Sequence, residues 1–77
     1  MTCIPAAVEW SCERRLLYVR LSGDIDSRLD RDLAAVVEDV VGAFRRAFVD
    51  LHQVTFFGTA GLRFLDRLVA CGGVVQL

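Results

Sequence analysis

Apolar residues recur along this chain with two different periods. Residues 7–11 alternate apolar and polar side chains, and residues 16–22 repeat the alternation, as half-buried β-strands do. Gly23 interrupts the second run, and Ser27 is a suitable N-cap for a helix that we expect over residues 27–44. One face of that helix is apolar. Its members are Leu29, Leu33, Val36, Val37, Val40 and Phe44.

The second half of the chain combines a continuous apolar run with another helical pattern. Residues 47–51 are apolar almost throughout, which predicts a central strand covered on both faces. His52 follows in what we expect to be a turn. Leu62, Leu65, Leu68 and Val69 recur at helical spacing and predict a helix over residues 59–70, and residues 74–77 begin a fourth strand.

Together these elements predict an α/β fold with a mixed four-stranded sheet and helices packed on one side. Strand 47–51 lies in its centre, and residues 1–77 form a single domain. The predicted core consists of Leu17, Val19, Leu21, Leu33, Val37, Val40, Val49, Leu51, Leu65 and Leu68.

Composition and charge argue against nucleic acid and membranes as binding partners. A 55% hydrophobic content favours a packed globule, and a net charge of −1 gives no general attraction to nucleic acid. No apolar run approaches the roughly 18 residues that span a bilayer, so we expect no membrane insertion. The first residues lack the pattern of a secretory signal, which favours a cytoplasmic location.

The sequence offers little for catalysis. Cys3, Cys12 and Cys71 have no C-x-x-C spacing and read as reduced, incidental residues, and His52 is the only histidine, so we expect neither metal nor cofactor. No nucleophile and base occur at usable spacing, and no glycine-rich phosphate loop is present. We therefore expect a binding protein and not an enzyme.

The most informative stretch is the turn Gly58-Thr59-Ala60-Gly61, between the third strand and the second helix. The first N–H groups and the dipole of a helix favour an anion at such a turn. Two roles are open for the Thr59 hydroxyl: a plain helix N-cap, or a group that is modified. Phe56 and Phe57 precede the turn, and we expect one to face the core and the other to face solvent as an anchor for a partner.

Acidic residues gather upstream, at Asp24, Asp26 and Asp30. They fit either a solvated surface or an acidic surface that meets a basic partner. Asp26 is in addition a suitable helix N-cap, and both roles stay open for it.

Two motifs resemble the signature of STAS domains, a family that includes the anti-sigma factor antagonists of bacteria. One is the run from Val49 through Leu62, and the other is Gly23-Asp24-Ile25-Asp26. At the turn the family usually has Asp-Ser-Ser-Gly-Leu or Asp-Ser-Thr-Gly-Leu, whereas this chain has Gly58 in place of the Asp and Ala60 in place of the second hydroxyl. The resemblance implies that Thr59 is the phosphoacceptor. It also implies a partner-binding surface made of Asp24, Asp26, Phe57, Gly58, Thr59, Ala60 and Gly61.

The function implied by the resemblance is that of a bacterial anti-sigma factor antagonist. Such a protein would bind an anti-sigma factor of kinase fold and regulate sigma-factor-dependent transcription through phosphorylation. Two alternatives stay open: a STAS-like accessory subunit of a lipid or solute transport ATPase, and a scaffold domain without a working switch. STAS domains normally continue through a fuller strand and another helix, so the resemblance implies a domain incomplete at its C-terminus. Apolar surface left open there predicts self-association.

Overall fold

The computed structural model describes residues 5–77, and Cys3 lies outside this range. The chain forms strand β1 (Ala7–Glu13), strand β2 (Leu16–Ile25), a 3-10 turn (Ser27–Leu29) and helix α1 (Asp30–Val40). Strand β3 (Arg46–Phe57), helix α2 (Thr59–Ala70) and strand β4 (Val74–Gln76) follow. This order confirms the predicted α/β class.

The sheet is mixed, with the strands in the spatial order β1-β2-β3-β4. Strands β1 and β2 are antiparallel, whereas β3 runs parallel to both β2 and β4. Arg14 and Arg15 form the hairpin loop between β1 and β2, and both have positive φ angles, of 51° and 65°. Positive φ at both central residues is the requirement of a tight turn whose twist matches the flanking strands.

Both helices pack on the sheet face that carries Leu17, Val19 and Val49. This confirms the predicted packing of helices on one side. Seven members of the predicted core are buried: Leu17, Val19, Leu21, Leu33, Val40, Val49 and Leu68. Val37, Leu51 and Leu65 are partly buried and pack against that cluster. Other side chains outside the predicted core are also buried, among them Ile25 and Phe64; Phe44, on the predicted apolar face of the first helix, is buried too.

Helix α1 is shorter than predicted, because it ends at Val40. Gly42 follows with a φ of +76°, a left-handed conformation that glycine adopts without a Cβ penalty. At the other end the 3-10 turn precedes the helix, and its N-cap is Asp26 and not Ser27.

Strands β2 and β3 are longer than predicted, and both extend toward the same end of the sheet. His52 lies within β3 and not in a turn. Gly23 does not end β2; it has a φ of 73° and pairs with Val54, next to a register shift at which β3 carries one extra residue, Thr55. The extension carries Asp24 and Ile25 forward until they pair with Phe56 and Phe57.

The second face of the sheet is open, so the prediction that strand 47–51 is covered on both faces is wrong. Phe48 is 38% exposed on this face, and its ring stacks on Tyr18 with centroids 5.6 Å apart. Leu16 and Val74 are also exposed and line the same surface. We call Leu16, Tyr18, Phe48 and Val74 the open sheet face.

The apolar face of α2 also differs from the prediction. Leu62 and Val69 are more than half exposed, whereas Ala60, Phe64 and Leu68 are buried. The buried face is rotated relative to the predicted one because Phe64 sets the line of contact with the sheet. Phe64 lies four residues after Ala60 and four before Leu68, on the same side of the helix.

Candidate functional site

The two motifs singled out in the sequence meet at one end of the sheet, where β2 and β3 both finish. Asp24 and Ile25 pair with Phe56 and Phe57. The Gly58 N–H then donates to the Ile25 carbonyl at 2.9 Å, which ties the turn to the end of β2. Because neighbouring parallel strands present their carboxyl ends at the same edge, residues 31 positions apart become neighbours.

At the turn, Gly58 is the N-cap of α2 and Thr59 is its first residue. The Gly58 carbonyl accepts hydrogen bonds from the N–H groups of Gly61 and Leu62, at 3.1 and 3.3 Å. Glycine has no side chain to accept from the first N–H groups, and the helix has no side-chain cap. Thr59 is exposed, and its hydroxyl forms no hydrogen bond with any other group of residues 5–77. Gly58 therefore occupies the N-cap position, and Thr59 is not the helix cap that was one of its two possible roles.

Ala60 and Gly61 lie on the inner side of the turn, and both are buried. A Cβ at position 61 would come within 2.5 Å of the Phe57 ring, so only glycine fits there without a shift of the ring. These two residues shape the turn from within. The prediction that they contact a partner stays a prediction.

The two phenylalanines point in different directions, as predicted, and Phe56 is the exposed one. Its side chain is 56% exposed, and its ring edge lies 2.9 Å from where a Gly58 Cβ would stand. Phe57 packs against the core, although it is the aromatic predicted to contact a partner. Alternation from Val49 does not decide between the two rings, because two register shifts interrupt β3: Gln53 and Thr55 are exposed, whereas Val54 packs against the core.

The two predicted carboxylates have different surroundings. Asp24 is exposed and accepts a hydrogen bond of 2.6 Å from the Thr55 hydroxyl. Asp26 accepts from the Arg28 backbone N–H at 3.0 Å and from the Arg28 guanidinium, whose shortest contact is 2.8 Å. These bonds from Arg28, chiefly those of its side chain, lower the pKa of Asp26 below its usual value. Asp26 therefore acts as the cap of the first helical turn, while its role in partner binding stays a prediction.

Among the exposed side chains at this end of the sheet are those of Asp24, Phe56 and Thr59. We call these three the Thr59 surface. It combines a carboxylate, an aromatic ring and a hydroxyl that has no hydrogen-bond partner within residues 5–77. In residues 5–77, no three His, Cys, Asp or Glu side chains come together in a way that could hold a metal ion. Likewise, none of the helices described is long and apolar enough to cross a membrane.

Solved structures similar to this chain are STAS domains and anti-sigma factor antagonists. The cell-fate determinant SpoIIAA of Bacillus, in its phosphorylated form, is 20% identical, with a TM-score of 0.71 over 92% of this chain and 70% of that one. The anti-sigma factor antagonist SpoIIAA in its unphosphorylated form is 18% identical, with a TM-score of 0.72 over 92% of this chain and 68% of that one. An antisigma-factor antagonist STAS domain from Rhodobacter sphaeroides is 20% identical, with a TM-score of 0.60 over 95% of this chain and 83% of that one.

No protein-family model and no curated protein matches this sequence at a significant level. At identities of 20% or less, the likeness to solved structures concerns the fold. The chain has the STAS-domain fold, in agreement with the resemblance carried by its two motifs.

Proposed function

We propose that this protein is an anti-sigma factor antagonist that is switched by phosphorylation of Thr59. In the unmodified state it binds an anti-sigma factor of kinase fold in the cytoplasm and thereby frees a sigma factor. The partner supplies ATP and transfers its γ-phosphoryl group to the Thr59 oxygen; the hydroxyl proton leaves, ADP is released, and the modified chain dissociates. This chain itself is not an enzyme in the scheme.

The observation that supports the proposal most is the position of the Thr59 hydroxyl. It is exposed on the first residue of α2, it is not the helix cap, and it adjoins the ends of β2 and β3 in a STAS fold. A solved neighbour with a TM-score of 0.71 is itself a phosphorylated protein. A hydroxyl engaged in capping would have to give up its bonds before transfer, whereas this one is free to enter a kinase site.

The same geometry explains how the domain could carry the phosphate without unfolding. A phosphate adds about −1.5 to −2 charges at neutral pH. On the first residue of α2 it would lie beside the positive end of the helix dipole, near N–H groups that Gly58 leaves without a side-chain acceptor. The cost would therefore fall on the partner, which would meet a new negative charge on the Thr59 surface.

The proposal can be tested with kinase-fold anti-sigma factors from the genome that encodes this protein. Incubated with ATP and that partner, the chain should gain one phosphate, located on Thr59 by mass spectrometry of its peptides. The Thr59→Ala variant should bind the partner but gain no phosphate. Ser11→Ala, which removes an exposed hydroxyl from β1, is the matched control and should be modified normally.

Three results would contradict the proposal. If every such partner fails to bind the chain, the anti-sigma role is wrong. If a partner binds tightly but never modifies Thr59, the chain is a scaffold without a switch. Modification of Thr55 in place of Thr59 would overturn the assignment of the site.

A further inference from the structure

A groove of about 360 Å³ runs between α1 and α2 on the outer side of the helices. Its floor is apolar, formed by the buried side chains of Leu33 and Phe64. Ala34 and Ala60 line it as well, and their small side chains leave the space between the helices open.

The rim of the groove is strongly basic. Arg31 from α1 and Arg63 and Arg67 from α2 line it, and Asp30 is its one acidic residue. We call this feature the arginine groove. Since the whole chain has a net charge of −1, the excess of positive charge here is local and does not follow from composition.

These three arginines are unpaired within the part of the chain that the structure describes. The salt bridges of residues 5–77 join Arg20 to Asp50 and Arg28 to Asp26, and neither involves the groove. Guanidinium groups that line one groove without carboxylate partners repel each other, and an anionic ligand would relieve that repulsion. The groove therefore has charge complementarity to a negatively charged ligand and an apolar floor that a free anion would not use.

We infer that the arginine groove binds an acidic segment of a protein partner, one that places carboxylates on the arginines and an apolar side chain on the floor. Arg pairs with carboxylates through two parallel hydrogen bonds, which fixes orientation as well as adding affinity. Leu33 and Phe64 offer the apolar contact between the arginines. The acidic residues Asp24, Asp26 and Asp30 would suit a basic partner, whereas the charge of this groove has the opposite sign.

The groove is also coupled in space to the turn, because Ala60 lines it directly after Thr59. Arg63 lies four residues beyond Thr59, and side chains with that spacing are neighbours on a helix. If the proposed function holds, a phosphate on Thr59 would compete with the acidic segment for Arg63. Binding of the segment itself does not depend on that function.

The direct test uses a synthetic peptide that alternates Glu and Leu, titrated into the isotopically labelled chain and followed by NMR. Backbone signals of Ala34, Ala60 and Phe64 should shift. A peptide with Gln in place of Glu should bind at least about tenfold more weakly, as should the Arg63→Gln/Arg67→Gln variant. Arg14→Gln/Arg45→Gln removes two exposed arginines elsewhere and should bind as the parent does.

A second variant tests the contribution of the apolar floor to peptide binding separately from that of the basic rim. Ala34→Met fills the groove without changing charge, so it should weaken the peptide while circular dichroism shows an intact fold. Inorganic phosphate at equal ionic strength should displace the peptide no better than chloride. The inference is wrong if the Gln peptide binds equally well, if the groove variants bind like the control variant, or if the shifts fall on the open sheet face. Failure of Thr59 phosphorylation would leave all these outcomes unchanged, so the two proposals fail separately.

Discussion

Thr59 and Asp26 lie at the starts of the two helical segments, and their side chains have different roles. Asp26 caps its segment with its carboxylate and holds Arg28. Thr59 follows an N-cap that has no side chain, so its hydroxyl stays free. A glycine at the N-cap costs only roughly a few tenths of a kcal/mol relative to a Ser, Thr, Asp or Asn cap. It also leaves the first N–H groups of α2 without a side-chain acceptor.

The Asp26–Arg28 pair predicts a pH dependence. The folded pKa of Asp26 is lowered, so its contribution to stability is present above the unfolded pKa, about 3.9, and is lost as pH falls through the folded pKa. An NMR titration of the Asp26 carboxyl should show this low pKa, and Arg28→Gln should raise it toward the ordinary value. Arg31→Gln, in the next turn, should leave it unchanged. Equal titration of Asp26 in the parent and in Arg28→Gln would contradict the assignment.

Asp24 predicts an effect on the rate of association. Its carboxylate is exposed beside Phe56, and a charge at the rim of an interface acts mainly on the association rate. Asp24→Arg should slow association with the kinase-fold partner and flatten the salt dependence, measured by stopped-flow fluorescence. Glu13→Arg makes the same charge change at the opposite end of the sheet and should have no such effect. Equal association rates for Asp24→Arg and Glu13→Arg would show that Asp24 does not affect partner binding and only accepts the hydrogen bond from Thr55.

At the scale of the elements, most of the fold could be predicted from local patterns. The alternation in β1 and β2 and the helical spacing in α1 are properties of the sequence itself, and they identify strands and helix. The register shift beside Gly23 and the extension of β3 through His52 depend on pairing between the strands, which no local pattern records. For the same reason β2 and β3 were predicted to end too early.

The candidate site was predictable in part. Gly58 and Gly61 bracket Thr59 and indicate a tight turn, and the structure has a strand-to-helix turn there. The arginine groove could not be predicted, because it depends on how α1 packs beside α2 around Ala34 and Ala60. The exposure of Phe56 and not Phe57 could not be predicted from alternation, because the register shifts in β3 break the parity set by Val49.

The corrected face of α2 predicts unequal effects of two apolar substitutions. Phe64→Ala removes a buried ring and should lower the free energy of unfolding by about 3–5 kcal/mol, measured by urea denaturation. Leu62→Ala, on the exposed side of the same helix, should change it by about 0.5 kcal/mol or less. If Phe64→Ala fails to fold, Phe64→Leu should still be less stable than Leu62→Ala. If Leu62→Ala proved more destabilising than the Phe64 variants, the buried face of α2 would be the one first predicted from the sequence.

The whole molecule has two layers, a sheet and a pair of helices, and the helices cover only one face of the sheet. Helices protect one side of the sheet, while the open sheet face exposes Phe48 at 38% and Val74 at 66%. Strand β4 has three residues and lies at the edge of the sheet. Exposed apolar surface and an unpaired strand edge both favour association.

We therefore predict that the isolated chain self-associates through the open sheet face. Sedimentation velocity should show a weight-average mass that rises with concentration. Phe48→Lys should shift the chain toward monomer, whereas Leu62→Lys, an exposed leucine on the helical side, should not. A monomer at all concentrations, or an equal effect of both variants, would show that this face does not drive association.

The central claim is that a phosphate on Thr59 controls binding through the Thr59 surface. The most direct measurement is the affinity of the kinase-fold anti-sigma factor for two preparations of this chain, one unmodified and one phosphorylated at Thr59, by isothermal titration calorimetry. We predict that phosphorylation weakens binding at least about tenfold, a loss of about 1.4 kcal/mol or more, and that Thr59→Ala binds like the unmodified chain. Equal Kd values for the phosphorylated and unmodified chains would contradict the account.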